Sequence, residues 1–429
     1  MPYVVNNNIF LMNDISNPIA QKPAGISFDN TQSAFAYKTD NELKRARFLF
    51  SSMGIPVLVN MGLKLMPIAI KNNLPFTKTL IRKTIFKQFV GGETLEETAE
   101  VADKLGDYNV KVILDYGVEG GNDGEKGYEH ATEEFIKVIS YASTQSNIPF
   151  MSIKVTGIVR FGLLEKIDAA MHNSEGALMK RYYKVIELLS AEEKEEWQRV
   201  INRLFKICET ANEKKVCVLV DAEETWIQDP VDALTILMMD TFNKKKAVVY
   251  NTLQLYRHDR LAFLIDSHTA ALERNFILGA KLVRGAYMEK ERERAIQMGY
   301  ASPIQPDKAS CDRDYNAAVE FCIAHLEEIA VIIASHNEYS NLFTTQLLDE
   351  KGLPHNHTHV HFSQLYGMSD NITFNLAKAG CSVSKYLPFG PIKDVIPYLM
   401  RRAQENSSAV GQTGRELGLI KKELKRRKQ

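Results

Sequence analysis

The sequence has no net charge: over 429 residues, 53 Lys and Arg side chains are balanced by 53 Asp and Glu. A neutral chain has no long-range field with which to recruit nucleic acid, so any partner preference must come from local patches. It is also poor in cysteine. Cys208, Cys217, Cys311, Cys322 and Cys381 are odd in number, widely scattered and never in a C-x-x-C pair, which argues against a disulfide framework or a zinc ribbon. The stretch Met1 to Asp14 lacks both a basic segment leading into an apolar core and the Arg-rich character of a transit peptide, so the expected location is cytoplasmic. Long apolar runs are missing as well. The most apolar window, Phe48 to Ile70, is broken by Ser51, Ser52, Pro56, Asn60, Lys64 and Pro67; it falls short of a spanning helix and reads as a buried helical hairpin.

What is present is an ordinary globular mixture, 45% hydrophobic and 25% charged, which excludes disordered, collagen-like and coiled-coil classes. Length alone suggests two or three domains, although an α/β barrel often takes about 250 residues as one. Residues 1–39 are rich in Asn, Ser and Pro and read as an irregular lead-in. A helical arm over 40–108 follows, opened by the N-cap pair Thr39-Asp40 and closed by a helix whose Thr94 and Glu97 have capping-box spacing.

From 109 to 415 one theme repeats: a short β-branched apolar run, a polar residue at its end, a loop and a charged amphipathic helix. The runs are Val110–Asp115, Phe150–Val155, Val216–Asp221, Ala247–Gln254, Leu278–Arg284, Ala330–His336, Val360–Gln364 and Cys381–Tyr386. Near-continuous apolarity fits strands buried on both faces, and the intervening helices supply the crossovers of a parallel sheet. The pattern predicts an α/β fold, a (β/α)8 TIM-type barrel with an N-terminal α-helical arm, with a doubly wound sheet as the alternative. No G-x-G-x-x-G follows a strand, and the Gly-rich loop Gly117 to Gly127 lacks P-loop spacing and carries three acids, so it reads as a surface loop rather than a phosphate cradle.

A barrel of this kind works at the C-terminal ends of its strands. The residues there are Asp115, Lys154, Asp221, Gln254, Arg284, His336, Gln364 and Tyr386. One or two polar strand ends are ordinary handovers to solvent; eight converging on one rim indicate a site. Arg284 ends a buried strand with a permanent charge, which calls for an anion, an electron-rich ring or a structural salt bridge, with Asp221 as the candidate partner. Lys154 could hold a carboxylate or, with a depressed pKa, form a Schiff base. On the last barrel helix Arg401 and Glu405 share a face while Arg402 points away; the arrangement reads either as a solvated charged face or as a pair for bidentate capture of a small carboxylate. His355, His357, His359 and His361 alternate in a way that resembles a metal set, but they sit at the entry of a strand, away from the rim, and no metal site is expected. Lys421 to Lys428 concentrates positive charge in a tail, 416–429, readable as a frayed helix end or as a contact for anionic lipid.

Lys281-Leu282-Val283-Arg284-Gly285-Ala286-Tyr287 and Tyr398-Leu399-Met400-Arg401-Arg402-Ala403-Gln404-Glu405-Asn406, with Ser152-Ile153-Lys154, Val220-Asp221-Ala222-Glu223, Ala334-Ser335-His336-Asn337 and Lys385-Tyr386-Leu387-Pro388-Phe389-Gly390, resemble segments of the proline dehydrogenase family in the family's order. That family consists of FAD-dependent enzymes on a distorted (β/α)8 barrel, and the chain resembles its monofunctional form. The resemblance implies oxidation of L-proline to Δ1-pyrroline-5-carboxylate, with electrons passed to a quinone-type acceptor and a peripheral membrane contact. It also implies roles: Asp221 and Arg284 catalytic; Lys154, Tyr386, Arg401, Arg402 and Glu405 on the substrate; Ala222, Gln254, Arg284, Tyr287, Met288, Glu289, Ser335 and His336 on FAD. The family's Tyr-x-Pro-Tyr-Gly form has Phe389 here, which leaves substrate choice open between proline and hydroxyproline. An aldolase or lyase using Lys154, and a non-catalytic membrane-associated barrel, are the competing classes.

Overall fold

Eight parallel strands close on one another in sequence order, β1 to β8, in the computed structural model, which describes residues 26–72, 76–117, 124–407 and 412–429. The strands are β1 Lys111–Tyr116, β2 Phe150–Ile153, β3 Cys217–Val220, β4 Val249–Gln254, β5 Leu278–Val283, β6 Ile329–Ala334, β7 Val360–Leu365 and β8 Val383–Phe389. Each falls on one of the eight apolar runs. Closure comes from β8 pairing back onto β1, from Lys111 opposite Ser384 to Tyr116 opposite Phe389, and this excludes the doubly wound alternative.

The strand pleat sorts side chains into two cores. Val112 and Leu114 face the surrounding helices, in one core with Val218, Val220, Ala280 and Leu282. Ile113 points the other way and meets Phe150, Leu219, Tyr250, Ala330 and Ile332 inside the barrel. Both faces of each strand are therefore covered, which is why the runs carry so little alternation. The inner cluster fills the barrel and serves as the floor of whatever sits at the strand ends.

The arm begins with a capping box. Thr39 accepts from the Glu42 amide at 3.3 Å while Thr39 N donates to the Glu42 carboxylate at 2.7 Å, starting the helix Asp40–Met53. The chain turns at Gly54 and restarts at Pro56, tolerated at a helix start because its missing N–H would be unpaired there; the helix Pro56–Lys71 follows at a sharp bend. Leu43, Phe50 and Met53 pack with Phe86, Phe89, Leu399 and Ile420 in a second core beside the barrel.

Two expectations are corrected here. The Phe48 to Ile70 segment is not a buried hairpin: Val59 is buried, but Val57, Met61, Leu65 and Ile68 are more than half exposed. The Pro56–Lys71 helix is apolar on every side and only one side meets a partner, so the sequence pattern of a buried helix ends on the surface. The basic tail is not frayed. It belongs to a helix, Gln412–Arg426, whose Leu419, Ile420 and Leu424 are buried. Glu423 accepts from Arg426 and Arg427, and Arg427 also reaches Asp40 and the carbonyls of Phe35 and Lys38. Met1 to Asp14 and most of the Gly117 to Gly127 loop lie outside the described residues. Three of the four histidines go to different partners, His355 to Asp349, His359 to the Leu326 carbonyl and His361 inside the barrel to Ser384, while His357 lies edge-on to His359.

Candidate active site

At the C-terminal ends of the strands lies a cavity of about 740 Å³, and all eight polar strand-end residues line it. Ala222, Tyr287, Ser335, Arg401, Arg402 and Glu405 line it too. Met288 and Glu289 do not; they border an adjoining cavity of about 1400 Å³ that shares Lys154, Arg284, Tyr287, Arg401 and Glu405 with the first. The turn after β5 lets the two meet. Gly285 sits there at φ +136, a conformation favouring glycine, and a Cβ on it would lie 2.6 Å from the Tyr256 ring.

Asp221 is the hub. Just beyond β3, its carboxylate accepts from Lys281 at 2.6 Å, from Ser152 at 2.7 Å and from the Tyr386 hydroxyl at 2.7 Å, with Lys154 at 3.7 Å. Burial alone would raise its pKa, but Lys281 and Lys154 hold it below the usual carboxylate range. Lys154 also pairs with Asp115 at 3.2 Å. Burial disfavours its charge, yet Asp115 and Asp221 outweigh that and raise its pKa; it is a fixed ammonium. Glu223 points to Thr156, whose hydroxyl donates at 2.7 Å, and burial pushes its carboxyl up to about 7.

Arg284 does not meet Asp221, the partner considered from sequence. It turns outward along the rim to Asp312 at 2.7 Å, Ser335 at 2.7 Å and Ser340 at 3.0 Å, and stacks over Tyr315. The nearer of the two cations at Asp221 is Lys281, to which the sequence assigned no role. Its signal was there: a lysine in the middle of an apolar run whose outer face must contact helices has only the barrel interior to occupy. Arg402 is buried and pairs with Glu405 at 2.5 Å over the Tyr398 ring, while Arg401 lies over Tyr287. Arg401 and Glu405 stand at the wall shared by both cavities, and Arg402 lines the first of them. His336 accepts from the Leu365 amide, and burial with nearby Lys385, Arg402 and Arg284 pushes its pKa down to about 3, so it is neutral.

The residues fit a flavin dinucleotide. The volume lies within the roughly 300–1,000 Å³ of cofactor and ligand pockets. Arg284 and Lys308 offer positive charge for phosphates, and Gln254, Ser335 and neutral His336 offer polar edges. Among the described residues three buried polar atoms on this wall, Thr252 Oγ1, Tyr398 Oη and Arg402 Nε, have no hydrogen-bond partner. Buried polar groups are ordinarily paired, so these await a polar ligand.

Residues 98–415 match the family model of proline dehydrogenase. Proline dehydrogenase 1, mitochondrial, of Dictyostelium discoideum is 32% identical over 81% of this chain, which spans 65% of that protein's length. Hydroxyproline dehydrogenase of Xenopus laevis is 30% identical over 95% of this chain and 91% of its own. Among solved structures, proline utilization A from Bdellovibrio bacteriovorus inactivated by N-propargylglycine superposes with a TM-score of 0.66 at 19% identity, over 90% of this chain and 40% of that one; at that identity it supports the barrel alone. The expected cytoplasmic location is overturned, because the relatives from Dictyostelium, Caenorhabditis elegans, Arabidopsis thaliana and Homo sapiens are named mitochondrial. A family match across nearly the whole barrel, arriving at a mouth already built around Asp221, Lys154 and two arginines, leads to one conclusion: the chain belongs to the proline dehydrogenase family.

Proposed function

We propose that the chain oxidises L-proline to Δ1-pyrroline-5-carboxylate with FAD held in the barrel-mouth cavity, that a quinone-type acceptor takes the electrons onward, and that it does so in mitochondria. The observation carrying this reading is the pairing, in one cavity, of a cationic end (Lys154, Arg401, Arg402) with an aromatic wall and unpartnered polar atoms suited to a cofactor.

Bound FAD supplies the hydride acceptor that no amino-acid side chain provides. The chain's own residues bind and orient. Lys154 and the arginine pair receive the proline carboxylate. Tyr386, fixed by its hydroxyl on Asp221, packs its ring face over the pyrrolidine and keeps water from it. Ionised Asp221, with the neighbouring Lys154 and Lys281, gives the cavity floor a fixed polarity needing little reorganisation during reaction. Glu223, which lines the adjoining cavity and whose carboxyl burial pushes up to about 7, is the group able to take a proton from the substrate ammonium, as the ring nitrogen must lose one before the bond beside it is oxidised. Arg284 and Lys308, which share Asp312, would hold the anionic parts of the cofactor.

A Schiff-base aldolase needs a lysine with a depressed pKa, and Lys154 is shifted the other way. Purified protein is expected to show flavin absorption bands that bleach on anaerobic addition of L-proline, and to bleach more slowly with hydroxyproline. Absence of flavin, or borohydride trapping of a substrate on Lys154, would overturn the assignment.

A further inference from the structure

We propose that Glu416, on the last helix, is a positioning residue for the barrel mouth: it fixes the turn after β7 through the Ser369 amide, and through the Ser369 hydroxyl it fixes the ring of His336. Glu416, Ser369 and His336 all line the first cavity. They stand on its β6 and β7 side, across the barrel from the β2 and β3 ends that carry Lys154 and Asp221.

Tyr366 to Ser369 turn the chain from β7 into the helix Asp370–Lys378. Within that turn Gly367, at φ +80, and Ser369, at φ +51, lie in the left-handed region. At Gly367 a Cβ would stand 2.0 Å from the Gln88 carbonyl oxygen, so glycine is required. Ser369 is the more telling of the two, because a residue with a Cβ stays in this region only where its surroundings dictate it. Its amide donates to Glu416 at 3.1 Å, its carbonyl accepts from the Ile372 amide at 3.0 Å, and its hydroxyl meets His336 Nδ1 at 2.9 Å. Just before it, Lys385 donates to the carbonyls of Leu365 and Met368 at 3.4 and 2.5 Å. The turn is gripped at its amide by the last helix and at its carbonyls by β8.

The grip reaches the cavity through His336. The Leu365 amide donates to its Nε2 at 3.4 Å, so the ring proton sits on Nδ1 and goes to Ser369. Burial, with Lys385, Arg402 and Arg284 nearby, keeps the ring neutral. With both nitrogens engaged, the tautomer and the edge turned to the cavity are set from behind. Docking the last helix does not depend on Glu416: Leu419, Ile420 and Leu424 bury its apolar side, and Glu423 holds Arg426 and Arg427. A buried carboxyl is costly unless hydrogen-bonded, and what Glu416 holds is the Ser369 amide. The role rests on the reading of the cavity as a flavin site only in what the ring faces: a wall that holds still keeps a cofactor in one pose, and a ring free to flip lets it go.

The test takes the full-length holoprotein isotopically labelled at its histidine ring nitrogens, with the His336 signals identified by their loss in His336→Gln. Nuclear magnetic resonance of the ring reports the tautomer, and the rate of flavin release on dilution reports the wall. Wild type is expected to show His336 as the Nδ1–H tautomer alone. Glu416→Ala is expected to give a mixture of tautomers and to release flavin about tenfold faster, the scale of one lost hydrogen bond. Glu416→Gln, which keeps the acceptor, is expected to match wild type in both. Leu419→Ala, which loosens the same helix without touching the turn, is expected to lower the melting temperature and change neither. A wild-type ring in Glu416→Ala overturns the proposal, as does a mixed ring with wild-type flavin release. So does a Leu419→Ala variant that disturbs both readouts as much as Glu416→Ala, which would make the effect one of helix docking. Where Glu416→Ala does not fold, Ser369→Ala removes the hydroxyl with Glu416 in place; mixed tautomers there support the proposal and the Nδ1–H tautomer alone overturns it. Purified protein without flavin, or with flavin that L-proline does not bleach, counts against the proposed oxidation, and the ring signals still decide the role of Glu416.

Discussion

Two buried clusters in this protein are built from the same parts. At the barrel mouth, Asp221 is flanked by Lys281 and Lys154, with Glu223 close by. Behind the mouth, Asp370 is flanked by Lys38 and Lys385, both at 2.9 Å, with Glu416 close by. In each, two lysines overcome burial and hold the aspartate below its ordinary pKa, while burial pushes the glutamate up. They differ in what they join. The first gathers β2, β3, β5 and β8, and Asp221, Lys154 and Lys281 all line the cavity. The second ties Lys38 of the N-terminal segment and Glu416 of the last helix to β8, and of its charged groups only Glu416 borders the cavity. The same chemistry lines a cavity in the first cluster and ties distant segments together in the second.

Exchanging the two aspartates should break the comparison most visibly. Asp221→Asn is expected to lower kcat/KM for proline by about a thousandfold, equivalent to about 4 kcal/mol of transition-state stabilisation, with little loss in melting temperature because the cavity admits water to Lys154 and Lys281. Asp370→Asn should do the reverse: it strands Lys38 and Lys385 in a dry site and costs about 3–5 kcal/mol of stability, less whatever Glu416 recovers by ionising. Steady-state kinetics beside thermal melts decides, and a large melting loss in the first variant with none in the second would abolish the distinction.

Arg401→Met sharpens the cavity side. Loss of a carboxylate contact made equally in ground and transition states should raise the proline KM about a hundredfold, about 2.7 kcal/mol, and leave kcat within a few-fold; an unchanged KM would remove Arg401 as the substrate anchor.

The smallest effect belongs to Glu416. A carboxyl whose pKa is raised in the folded state binds more protons folded than unfolded, so its contribution falls as pH rises from the ordinary glutamate range toward the raised value. Glu416→Gln keeps the acceptor for the Ser369 amide and removes that dependence. It should stabilise the protein by about 1–3 kcal/mol at pH 8 and hardly at pH 5; equal melting shifts at both pH values would show that Glu416 titrates normally.

The barrel was legible because burial on both faces writes itself as eight apolar runs, and strand ends with Asp115, Lys154, Asp221 or Tyr386 advertise where water or a ligand returns. Periodicity also located the Thr39 cap. It failed on pairing and on exposure. The strand pleat marks Lys281 as inward-facing, but nothing in the sequence shows that the turn at Gly285 carries Arg284, three residues on, away from Asp221 and along the rim to Asp312. Nor did it foresee Asp370, whose partners Lys38 and Lys385 are distant in sequence.

The sequence by itself determined the strand count, their order and the chemistry of the mouth, because those depend on local patterns that any arrangement of the chain must respect. Tertiary structure alone decided which cation meets which carboxylate, that the last helix is docked and not frayed, and that an apolar helix resembling core is left on the surface, because each of these depends on what the rest of the molecule brings within a few ångströms.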